Sequence, residues 1–160
     1  MSQVEQILKI AQEILDVPER GKFFVRQGPG VGNGKTTEFM AALRTRVIDE
    51  LGDGLAEMCI CGNNKLCVDY YLPDESTIIE FEFSLSTPHS NLERDILKSV
   101  LAKDAGVKVK KLVLVGEPGS IHRHKGASSQ AFINWLRQKE EIEIEIHELQ
   151  NNHSGMTTRK

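Results

Sequence analysis

An alternating run behind a tight turn constrains this chain most. From Ile79 to Leu85 apolar and polar residues alternate strictly. Strand side chains point to opposite faces in turn, so Ile79, Phe81, Phe83 and Leu85 go one way and Glu80 and Glu82 the other. The preceding Pro73-Asp74-Glu75-Ser76 has the composition of a turn. With those four residues as the loop, Leu72 pairs with Thr77 and Asp69 lies opposite Glu80. Opposed residues share a face with Cβ atoms roughly 5 Å apart, and Glu82 lies about 6.7 Å further along. Three carboxylates so close repel one another and need compensation. A bound divalent cation is the simplest candidate.

The rest of the chain supplies a scaffold for that hairpin. Val4, Ile7, Leu8, Ala11, Ile14 and Leu15 recur at helical spacing, with Ser2 as N-cap and Pro18 as the stop. A glycine-rich loop spans Gln27–Thr37, and Met40, Leu43, Val47, Ile48 and Leu51 mark a second helix ended by Gly52. Strands are expected at Glu57–Cys61, Lys65–Tyr71 and Thr77–Leu85. Ser90-x-x-Glu93 is a capping-box sequence opening a helix that buries Leu92, Ile96, Val100 and Leu101 and stops at Gly106. Leu112–Val115 suits a covered central strand, Ser128–Lys139 a helix around Phe132, Ile133, Trp135 and Leu136, and Glu141–Leu149 a strand with one wet, acidic face. Trp135 is most simply a core residue. The order α, α, β, β, β, α, β, α, β predicts a mixed sheet covered by helices, an α/β fold.

Composition narrows the function classes. With 160 residues, 39% hydrophobic and 27% charged, the chain has the size and core of one domain. Met1–Asp16 reads as an amphipathic helix, not a signal peptide, and no apolar run reaches the ~18 residues of a membrane span. The expectation is a cytoplasmic protein with no membrane partner. Cys59, Cys61 and Cys67 are odd in number and lack a fourth ligand for zinc, so they are read as small core residues. A net charge of −3 is no footprint of a general nucleic-acid binder. Local basic surfaces remain at Arg44 and Arg46, at Lys108, Lys110 and Lys111, and at Ile121–Lys125.

The carboxylates and the order of elements together resemble the PD-(D/E)xK nuclease superfamily, the restriction-endonuclease-like fold. Asp69 matches the family's first acid on the second strand, and Glu80-Phe81-Glu82 matches the (D/E)xK motif on the third. The literal Pro73-Asp74 pair falls in the turn and is a decoy. Glu82 stands where the family has lysine, an ExE variant. Lys98, on the following helix, is a replacement from another element, although a surface role is the favoured reading for it. Glu38 matches the acid many members carry on the first core helix. The resemblance implies a metal-dependent DNA endonuclease. Asp69, Glu80 and the Phe81 carbonyl would hold Mg²⁺, with Mn²⁺ as a substitute. Glu82, Glu38 and Lys98 would assist catalysis, and Lys35, Arg44, His122, Arg123 and Lys125 would contact DNA. It also implies a core at 27–150 between an N-terminal helical extension at 1–26 and a mobile tail at 151–160. So small a core implies a homodimer or a partner subunit for specific cleavage.

Two rivals stand beside this. One keeps the fold without catalysis, as a DNA-binding or assembly module, because the motif lysine is missing. The other is a P-loop-like nucleotide-binding protein, suggested by Gly28–Thr37 (GPGVGNGKTT). Counting back from Gly34-Lys35-Thr36 places Pro29 where that motif needs glycine, and no Walker B aspartate follows Leu112–Val115.

Overall fold

A computed structural model describes residues 1–17, 23–24, 32–60, 66–83 and 88–151. They divide into two compact units, one drawn from Met1–Asp53 and from Leu149 onward, the other Gly54–Glu148. Among the described residues no helix is long and apolar enough to cross a membrane.

The first unit pairs two helices, α1 (Gln3–Leu15) and α2 (Gly32–Leu51). A capping box starts α1: the Glu5 amide donates to Ser2 Oγ and the Ser2 amide to the Glu5 carboxylate. One stripe of α1, including Ile7, Ile10 and Ala11, is buried, as are Phe39, Leu43 and Val47 on α2. Arg46 bridges the helices by pairing with Glu13 at 2.8 Å and with Glu50 in its own helix. The Gln12 side chain exchanges two hydrogen bonds with the Gln150 backbone, tying that segment to α1. The helix α2 begins at Gly32, so Lys35, Thr36 and Thr37 belong to it rather than to the expected loop. It ends at Gly52, whose φ of +96° suits a residue without Cβ.

The second unit is an α/β fold around a five-stranded mixed sheet. Its strands are β1 (Ala56–Cys59), β2 (Cys67–Leu72), β3 (Thr77–Glu82), β4 (Lys111–Gly116) and β5 (Glu143–Glu148), in that spatial order. β1, β2 and β3 run antiparallel as a meander, and β3, β4 and β5 run parallel. Leu72 pairs with Thr77 across the Pro73–Ser76 turn, as the turn composition predicts. The helices are α3 (Pro88–Asp104), the single turn α4 (Ser120–Arg123) and α5 (Ala127–Trp135), which runs into a π-helical turn at Leu136–Glu140. α3 stops in a Schellman motif, with Val107 N–H donating to the Ala102 carbonyl and Gly106 N–H to that of Lys103. Val68, Ile78, Leu112 and Leu114 of the sheet join Leu92, Ile96 and Ala102 of α3 and Leu136 in one buried cluster.

Several expectations need correction. On the face of β3 that carries Glu80, Ile78 and Glu80 are buried where α3 packs on the strand, and Thr77 and Ile79 are buried on the other face. α3 starts at Pro88, two residues before the predicted capping serine, using proline where a helix needs no amide donor. Trp135 is 46% exposed and Phe132 also lies outside the core; Ile133 and Leu136 are the residues that turn inward. Cys59 is exposed and Cys67 half-buried, so neither is a core cysteine. Cys61, Leu85, residues 27–31 of the glycine-rich loop and most of the tail lie outside the described residues.

Candidate acidic site with a buried lysine

Strand pairing brings the hairpin acids together. The β2–β3 register runs from Leu72–Thr77 to Tyr70–Ile79 and stops there. At the next position Asp69 uses its side chain: the Phe81 amide donates to Asp69 Oδ2 at 2.8 Å. This places the Asp69 carboxylate within hydrogen-bonding contact of Glu80. The β1–β2 ladder lapses at the same level. Ala56 pairs with Tyr70 and Met58 with Val68, while Glu57 between them sits in the left-handed region at φ +52°. Asp69 therefore occupies a local break in both of its strand pairings.

α3 supplies the counter-charge. Asp95 and Lys98, three residues apart, share a helix face that the sheet covers. Lys98 Nζ lies 2.6 Å from Glu80 Oε1 and 3.2 Å from Asp95 Oδ1, and it donates to the Cys67 carbonyl at 3.2 Å. Only 7% of Lys98 is exposed, so the favoured surface reading of this lysine is wrong. A long cation is tolerated there because the Glu80 carboxylate and the Cys67 carbonyl accept its protons and the Asp95 carboxylate pairs with its charge.

The network continues through Glu82. Its carboxylate contacts that of Asp95, and its Oε2 lies 3.5 Å from His124 Nε2. His124 is 3% exposed, and its Nδ1 lies 3.4 Å from Ser129 Oγ. Glu82 Oε1 is buried and accepts no hydrogen bond. The β4–α4 connection sets His124 in place. A Cβ on Gly116 would collide with the Ser120 side chain, so glycine lets α4 turn this tightly off β4. The Ile121 amide donates to Glu148, which fixes α4 to β5.

Burial governs the protonation of this cluster. It raises the Glu80 carboxyl to about 8, with the charges of Asp95 and Asp69 adding to the rise and Lys98 opposing it. Burial likewise lifts Asp95 to about 7, with Lys98 pulling down and Glu82 pushing up. Asp69 is raised by burial and partly restored by the Phe81 amide and Lys98. For Lys98 burial acts downward, but Glu80 and Asp95 outweigh it and hold the ammonium above its ordinary value. One firm cation thus faces several buried carboxyls, and the cluster retains protons near neutrality.

The donor set is compatible with a hard divalent ion. Among the described residues no three His, Cys, Asp or Glu side chains converge as a ready-made metal site. Mg²⁺, however, commonly binds through one or two carboxylates and keeps its waters, and Asp69 and Glu80 offer that pair. The unpartnered Glu82 oxygen is a further hard donor nearby.

Other predicted residues are placed differently. Glu38 is exposed on α2, and Lys35 and Arg44 are on the same helix; all three belong to the first unit. His122 and Lys125 are exposed around α4. Arg123 turns inward, donating to Ser120 Oγ at 2.8 Å and lying 4.0 Å from Glu117. Asp95 and His124 escape the hairpin pattern. Asp95 carries a readable signal, a charge at helical spacing from Leu92 and Ser99; His124 carries none.

The chain matches no protein-family model, no curated protein and no solved structure.

Proposed function

We propose that the protein is a metal-dependent DNA endonuclease built on a restriction-endonuclease-like core. The observation that carries this reading is the buried Lys98 ammonium held against Glu80, beside Asp69 on the neighbouring strand. The meander followed by a helix and a parallel strand supports the same reading.

In this reading Asp69 and Glu80 hold Mg²⁺, with the Phe81 carbonyl as a further ligand. The ion supplies Lewis acidity to a phosphoryl oxygen and acidifies water at neutral pH. Lys98 takes the role of the motif lysine from α3. Near the scissile phosphate its ammonium orients the attacking water and offsets developing negative charge. Glu82, backed by His124, accepts the proton of that water. His122 and Lys125, exposed near the His124 end of the network, meet the DNA backbone electrostatically.

A binding module without catalysis is the second reading. It is favoured by the same ammonium, which compensates Glu80 and Asp95 in the absence of any ion. Nicking of supercoiled plasmid separates the two. The endonuclease nicks with Mg²⁺ or Mn²⁺, and Asp69→Asn and Lys98→Met each lower the rate at least about 100-fold. A wild type that never nicks with either ion, yet still binds DNA, is the module.

A further inference from the structure

We propose that Cys59 and Cys67 form a reversible intramolecular disulfide, made by exchange with a small disulfide such as oxidised glutathione, whose formation is felt at Lys98. This inference does not rest on the nuclease reading.

The geometry is a consequence of strand register. Cys59 pairs with Cys67 across β1 and β2. The adjacent Ile60 amide donates to the Leu66 carbonyl at 3.1 Å, which makes Ile60–Leu66 the hydrogen-bonded pair and Cys59–Cys67 the non-hydrogen-bonded one. Side chains approach closest at non-hydrogen-bonded positions, where the Cα atoms are about 4.5 Å apart. That separation lies within what a disulfide spans, so the bond is permitted. The two sulfurs are 2.6 Å apart.

The exposure of the pair gives the order of events. Cys59 is exposed, so its thiolate attacks the small disulfide, forming a mixed disulfide and expelling one glutathione thiolate. The half-buried Cys67 then loses its proton to solvent and attacks Cys59 Sγ. The intramolecular bond forms and a second glutathione leaves. Two protein thiols are oxidised and one glutathione disulfide is reduced to two thiols.

Cys67 also links this pair to the acidic site. Its backbone carbonyl accepts from Lys98 Nζ, the nitrogen that holds Glu80 and Asp95. A crosslink that redraws β2 at Cys67 moves one of the three partners of that ammonium.

The test treats the full chain with oxidised glutathione, then maps its linkages by peptide mass spectrometry and follows Lys98 in a proton–nitrogen spectrum of lysine ammonium groups. The expected result is loss of two hydrogen atoms in mass, a linked Cys59–Cys67 peptide and a shifted Lys98 signal, all reversed by reduced glutathione. In Cys59→Ser both the linked species and the shift are lost. Protein that stops at the mixed disulfide, a linkage through Cys61, or a Lys98 signal unmoved by the crosslink overturns the proposal. These readouts need no nuclease activity, so failure to cut DNA leaves them intact.

Discussion

Replacing Lys98 with methionine tests the electrostatics of the site with a known sign. The side chain is nearly buried, and its partners Glu80 and Asp95 are 4% and 1% exposed. At 2.6 and 3.2 Å the pairing belongs with buried ion pairs, whose breakage costs ~3–5 kcal/mol, and not with surface pairs worth ~0–1 kcal/mol. The cost depends on pH because both carboxyls have raised values in the folded state, about 8 for Glu80 and about 7 for Asp95. Between its ordinary value and its raised one, each carboxyl holds a proton when folded and none when unfolded. Their contribution is therefore most favourable below the ordinary carboxylate range and is lost as pH rises through 7 to 8. At pH 5 the methionine variant leaves neutral carboxyls and loses only hydrogen bonds, about 1 kcal/mol. As pH rises through 8, the wild-type carboxyls ionise beside Lys98 while the variant has no cation to receive their charge, and its loss grows toward ~3–5 kcal/mol. For a chain of this length that is a fall in Tm of about 6–20 °C. Urea denaturation at both pH values is the assay, and adding Glu80→Gln to Lys98→Met recovers most of the loss at pH 8. Equal destabilisation at pH 5 and pH 8, or a loss below about 1 kcal/mol at pH 8, refutes the reasoning.

Other substitutions probe the frame of the site. Gly116→Ala forces a methyl group into Ser120 and destabilises by ~1–3 kcal/mol, measured by the same denaturation at pH 7. Glu141, which ends the last helical segment at φ +54°, is exposed; Glu141→Gly relieves the left-handed strain and raises stability by about 0.5–1 kcal/mol. Ser2→Ala removes the oxygen that accepts from the Glu5 amide, so the first amides of α1 exchange faster by NMR, while the backbone amide of residue 2 still holds the Glu5 carboxyl below its ordinary value. If the site cuts DNA, its rate climbs with pH toward 8 at fixed Mg²⁺, because protons and cation compete for Glu80.

Local chemistry made much of the frame legible in the sequence. Ser2 and Glu5 announce the start of α1, Gly52 and Gly106 stop two helices, and the Pro73–Ser76 turn sets the register that brings Asp69 beside Glu80. These signals lie within a few residues of what they determine. Long-range packing was not legible. Alternation in β3 says that Glu80 and Glu82 share a face, but whether that face meets water depends on α3, and nothing near Glu80 in sequence announces that helix's position. Lys98 looked like a surface lysine for the same reason. A buried cation is identified by its partners, and those come from β2, β3 and one turn earlier in α3. Trp135 shows the opposite error: helical spacing is compatible with more than one face, and the packing of α5 on α3 and of Leu136 in the core buried Ile133 and Leu136 instead.

Crystals soaked in Mn²⁺ and measured for anomalous scattering test the central claim most directly. The account predicts a peak bonded to both Asp69 and Glu80, with the Lys98 ammonium displaced from Glu80 but retained beside Asp95. Clean maps with Lys98 still seated on Glu80 and no peak at those carboxylates would contradict it.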